Sequence, residues 1–175
     1  MDRIKLLSNE EASESAKTVL YDIAKGGKVI NIFKAMANSP AVLKTFFAIA
    51  KALEEKTLDS KIAESIGIQI AYINGCEYCQ AAHSYLAANE LSQEEIALNR
   101  EGKSSDKKTQ VALDFAALVM KKVGKVSDEE FEAVRKAGFS DGEILEIVSI
   151  ISLNFFTNAV NNVSQTRVDF PKPKG

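Results

Sequence analysis

Apolar residues recur at intervals of three and four along almost the whole of this 175-residue chain, with no run in which they alternate with polar ones. That period puts apolar side chains on one face of a helix, whereas alternation would mark a strand. The chain is therefore predicted to be all-α, and its start and stop signals divide it. Ser8-Asn9-Glu10-Glu11 has the form of a capping box, opening a helix to about Lys25, where Gly26-Gly27 ends it. A short helix follows at Val29–Ala37, broken by Ser39-Pro40, and Pro40 sits in the first turn of a helix over Ala41–Glu55. Thr57 is read as the cap of a helix running to about Ile73, and Asn74-Gly75 as a turn. Further helices are expected over Cys76–Asn89, from Ser92, over Asp106–Val123, over Glu129–Lys136, and from Ser140 to about Gln165. The tail, about 166–175, holds Pro171 and Pro173 and is expected to be extended. No internal boundary is visible, so residues 1–175 read as a single-domain helical bundle.

A composition 46% hydrophobic and 26% charged allows a packed core, and a net charge of -2 argues against nucleic acid as a partner. The richest apolar run, Ile144 to Phe156, is interrupted by Glu146, Ser149, Ser152 and Asn154, so no membrane span is expected. The first residues lack a signal-peptide core, which points to the cytoplasm, where thiols are kept reduced.

The chain has two cysteines and one histidine, and all three lie within residues 76–83. On a helix Cys76 and Cys79 share a face at i and i+3, with Cα atoms about 5–5.5 Å apart, within reach of a disulfide. Cys79 and His83 are neighbours at i and i+4. The first turn of a helix favours a thiolate, and a histidine titrates near neutrality, suiting it as the base for Cys79. Glu64 is the candidate to orient His83. If the chain reverses at Asn74-Gly75, Glu64 lies about 16 Å before the turn and His83 about 13 Å after it, which brings them to similar heights on antiparallel helices. Glu77 is read as serving the helix dipole, and Tyr72, Tyr78 and Tyr85 as pocket wall or core. Structural zinc needs a second ligand pair that is absent, so no metal is expected. Cys76, nearer the helix start, is expected to be the exposed sulfur that exchanges with a reductant, and Cys79 the one that attacks substrate.

Glu64, eleven residues, Cys76-x-x-Cys79, three residues, His83 resembles the active-site motif of alkyl hydroperoxidase D, in the carboxymuconolactone decarboxylase superfamily. Asn31 through Pro40, Asn154 through Asn161, and Val168-Asp169-Phe170-Pro171 resemble its N-terminal helix and turn, C-terminal helix and tail. The resemblance implies an all-α fold assembling into trimers or hexamers. It implies reduction of organic hydroperoxides with electrons from an external dithiol such as lipoamide or a partner protein, with no bound cofactor. It also makes Glu64 a member of the proton relay. Two departures stand out. Tyr78 occupies a position between the cysteines where the hydroperoxidase can carry a histidine, and the cysteine pair argues against the lactone chemistry of the decarboxylase branch. The expected function is a thiol-dependent peroxide reductase. The alternatives are a protein disulfide reductase or redox adaptor and, from another class, a decarboxylase or lyase using His83 and Glu64 on a small organic acid.

Overall fold

The structure, a computed structural model, describes residues 2–24 and 27–173. Among these it contains helices and no strand, so the all-α expectation holds. The helices are α1 (Glu14–Ala24), α2 (Asn31–Met36), α3 (Pro40–Ala52), α4 (Ser60–Ile73), α5 (Glu77–Ala87), α6 (Gln93–Arg100), α7 (Lys107–Lys122), α8 (Asp128–Lys136) and α9 (Asp141–Ser164), with a 3-10 turn, Leu53–Glu55, after α3.

Where the sequence signals were read correctly, the caps are visible. Ser127 and Ser140 form reciprocal capping boxes with Glu130 and Glu143, and Asp106 and Ser92 accept hydrogen bonds from Thr109 and Glu95 amides. Two caps move. The Ser8–Glu11 box closes its bonds, but only around a single turn, and Ser13, directly before α1, takes over as the cap, accepting from the Ala16 amide. Thr57 does not cap α4. Its amide and hydroxyl bond the Glu146 carboxylate of α9, and Asp59 caps instead through the Lys61 amide. The expected stop at Lys25 and Gly26 lies outside the described residues, as do the last two residues of the tail.

Helix α4 is central, packing on α5, α6, α7 and α9. Its apolar stripe, Ile62, Ile66 and Ile70, meets Leu113, Phe115 and Val119 of α7, Val134 of α8, and Ile144, Ile147, Ile150 and Ile151 of α9 in one buried cluster. A second cluster joins α1, α2 and α3, through Leu20, Ile32, Met36 and Leu43, to Cys76, Tyr78 and Cys79 at the start of α5. The cysteine pair thus sits in a core and not at a surface loop. The polar residues that interrupt the apolar run of α9 do not break the helix. Its 24 residues are long and apolar enough to cross a membrane by length and composition alone, yet its isoleucines are buried against α4 and α7.

A fully buried aliphatic side chain contributes about 1.5–3 kcal/mol by burial, and truncating it leaves a cavity in addition. Ile147 is completely buried where α9 crosses α4 and α7. Ile147→Ala is expected to cost about 2–5 kcal/mol, read as a lowered urea midpoint with an unchanged slope. A loss below about 1 kcal/mol would mean that the bundle closes around the gap.

Candidate active site

The end of α4 delivers the cysteines. Asn74 closes the helix, Gly75 takes φ +59°, and the Gly75 and Cys76 amides bond back to Tyr72 and Ala71 carbonyls. This is a Schellman turn, and a residue with a Cβ would be strained at Gly75. Helix α9 holds the same turn from outside, because Asn74 donates to Asn158 Oδ1 and its carbonyl accepts from Asn162. Chain direction is reversed, so α5 runs back along α4.

Cys76 was expected in the first turn of α5; it is the residue that caps it. Its Sγ accepts the Cys79 backbone N–H at 3.2 Å, a sulfur in the place where a serine hydroxyl commonly stands. The two cysteines form a disulfide, their Cα atoms 5.3 Å apart. The exposure expected for Cys76 is wrong. Capping turns its side chain inward, and it is completely buried, whereas Cys79 keeps 3% of its surface open.

Glu64 and His83 meet across α4 and α5, as the antiparallel heights required. Glu64 Oε2 lies 3.5 Å from His83 Nδ1, the two side chains one-third and one-fifth exposed. Gly67, one turn after Glu64, allows the pairing. A Cβ there would lie 2.7 Å from His83 Cε1 and 2.9 Å from Nδ1. The imidazole therefore rests on the bare backbone of α4, with its Nδ1 edge turned to the carboxylate. Of the expected relay only the Glu64–His83 contact is present, since no hydrogen bond joins His83 to Cys79 among the described residues.

Cys79, His83 and Glu64 open onto a cavity of about 370 Å³, walled by apolar side chains that include Phe33, Phe46, Leu53, Leu86 and Phe170; Cys76 does not line it. Phe170 comes from the tail, which is strapped down. Asp169 accepts the Tyr78 hydroxyl at 2.8 Å and the Asn31 amide at 3.1 Å, while Asn31 donates to the Arg167 carbonyl. The Phe170 ring stands edge-on to Tyr78 at 5.6 Å and tilts against Tyr85 at 5.9 Å. Burial, and then the bond to Asp169, push the Tyr78 hydroxyl far above the ordinary tyrosine range, so Tyr78 is a neutral strut.

Residues 40–122, which hold all four site residues, match the carboxymuconolactone decarboxylase family. A peroxidase-related protein from Ralstonia eutropha JMP134, with an alkylhydroperoxidase AhpD core, superposes with a TM-score of 0.85 at 25% identity, over 96% of this chain and 92% of that one. This stretch of the chain belongs to the carboxymuconolactone decarboxylase family, and the chain as a whole is AhpD-like in fold. A second peroxidase-related protein, from Silicibacter sp. TM1040, matches this AhpD-like chain with a TM-score of 0.79 at 25% identity, over 95% and 91% of the two chains. The debrominase Bmp8 shares the fold, with a TM-score of 0.77 at 19% identity over 95% and 91%. No curated protein matches the sequence.

Gly67, Asn161 and the tail residues Asp169 and Phe170 were not singled out as site residues from sequence. Helix periodicity marks a glycine only as a weak spot, and a tail is local chain until something anchors it. Gly67→Ala is expected to leave the helix content intact, since alanine favours a helix, and to drive His83 off Glu64. The chain has one histidine, so its Hε1 resonance reads this directly. That resonance should respond to Glu64→Gln in the parent and not in Gly67→Ala. An equal response in both would show that the ring does not need the bare backbone.

Proposed function

We propose that this protein is a thiol peroxidase that reduces an organic hydroperoxide and is returned by a small external dithiol. The observation that carries the reading is that Cys79 alone of the two sulfurs faces the apolar cavity, beside the Glu64–His83 pair and with Cys76 already bonded behind it. In the reduced enzyme the Cys79 thiolate attacks the distal oxygen of ROOH. The O–O bond breaks, ROH leaves with a proton from His83, and Cys79 becomes a sulfenic acid. Cys76 attacks that sulfur, the S–S bond forms, and water leaves.

Return requires two electrons from a dithiol, of which lipoamide is the type. Its first thiolate attacks Cys79, the reachable sulfur, and Cys76 departs as a thiolate favoured by the Cys79 N–H and the start of α5. The donor's second thiol then closes its own disulfide and releases Cys79. Cys76 is thus the leaving and resolving sulfur, and the role in exchange moves to Cys79. The burial of both sulfurs favours a small reductant over a protein disulfide partner, which weighs against the adaptor reading. The lyase reading differs in that its activity would survive loss of both cysteines. The reducing conditions of the cytoplasm suit the cycle.

Peroxide consumption with an alkyl hydroperoxide and dihydrolipoamide provides the test. Cys79→Ser is expected to abolish turnover. Cys76→Ser is expected to allow one turnover that stops at sulfenic acid, and His83→Ala to slow the reaction about 10²–10⁴-fold. Full activity in Cys79→Ser would overturn the reading.

A homo-oligomer is proposed as well. Leu145, Phe155 and Val163 of α9 are more than half exposed on a helix whose other face is core. Light scattering at micromolar concentration should give a multiple of 19.1 kDa, and Phe155→Glu should lower it. A monomer in the parent would refute the proposal.

A further inference from the structure

Each sulfur of the pair has one N–H directed at it, but from different sources. For Cys76 the donor is the Cys79 backbone amide, which any capping residue would receive. Cys79 is already inside the first turn of α5 and has no such amide to itself. Its donor is Asn161 Nδ2, 3.4 Å from Sγ, from α9 and eighty-two residues away.

Three buried asparagines share this face of α9, and the other two have structural bonds to explain them. Asn154 donates to the Ile150 carbonyl of its own helix, and Asn158 accepts from Asn74 at the turn before Cys76. Asn161 is 3% exposed, its contact with Cys79 is its only side-chain hydrogen bond among the described residues, and its Oδ1 has no partner. A buried amide with one end empty costs stability; Asn158, whose Nδ2 is also unpartnered, offsets that by holding the Asn74 turn, whereas the Asn161 side chain has no bond but the one to sulfur. Asn161 also reaches the wall of the cavity into which Cys79 opens.

We infer that Asn161 is a catalytic residue whose side-chain amide stabilises the Cys79 thiolate, both when that sulfur attacks and when it is released from the disulfide. The inference rests on the thiol chemistry proposed above and assigns one part of it. His83 and Glu64 manage the proton; Asn161 holds the negative charge that remains once the proton has gone. An N–H directed at a sulfur anion in a site shielded from water is worth more than the same contact in solvent.

The test reads ionisation of the sulfur and needs neither peroxide nor reductant. In a Cys76→Ser background only Cys79 titrates as a thiol, and its rate of alkylation by iodoacetamide is followed against pH. Asn161→Leu removes the donor; Asn161→Asp keeps the shape and replaces the donor with a carboxylate. In both, the midpoint of the curve should move to higher pH, and alkylation below it should slow about tenfold or more, Asp the more strongly. In the parent fold, the side-chain amide resonances of Asn161 should shift with the same midpoint as Cys79 alkylation, which keeps the inference testable if a variant fails to fold. Folded variants whose curves coincide with the parent's, or Asn161 resonances that do not move through the transition, would overturn it. A peroxide assay that fails while these curves shift would reject the peroxidase reading and leave the role of Asn161 standing.

Discussion

Helices α4 and α5 leave the turn at residues 74–76 in opposite directions, and the His83 ring lies over Gly67 between them. This contact decides the geometry of the site. A side chain at Gly67 would lift the imidazole away from Glu64, one turn earlier on α4. The same antiparallel pairing places Cys79, one turn before His83 on α5, on the cavity side. Both helices are also held by buried contacts, Ile66 and Ile70 of α4 in the main core and Ala87 of α5 beside Ile68 of α4 and Ile96 of α6.

Helix α9 connects the two halves of the bundle and also reaches the site. Its isoleucines belong to the main core, while its asparagines reach the turn before Cys76 and the Cys79 sulfur. The last residues continue this role. Asp169 fixes Tyr78 and the first amide of α2, and Phe170 completes the wall of the cavity. Loss of the tail would thus open the site and take from Tyr78 its hydrogen-bond and ring partners.

The two sulfurs are chemically alike and become different through their surroundings. Capping α5 turns Cys76 into the protein, where the backbone favours its anion. Cys79 faces an apolar cavity, a setting that opposes charge, and it has a histidine–glutamate pair nearby and an asparagine as donor. One sulfur is therefore turned into the core and the other toward the cavity. An apolar wall also shields Cys79 from water, which strengthens each polar contact that remains.

Local chain chemistry was sufficient for the helices, since caps, glycines and the three-to-four apolar period act over a few residues. It was also sufficient for the spacing of Cys76, Cys79 and His83, which one helix face dictates. Glu64 was within reach because a single turn relates α4 to α5, so heights along two helices could be compared. The sequence misled where a local signal competed with a distant partner: Thr57 has the chemistry of a cap but bonds Glu146 of α9, and Cys76 has a place at a helix start but points inward. Asn161, Gly67 and Phe170 owe their roles to tertiary contacts. Nothing in the neighbours of Asn161 along the chain says that its amide will meet a sulfur eighty-two residues earlier. The direction in which a buried side chain points is set by every helix packed around it, and that information is spread over the whole chain.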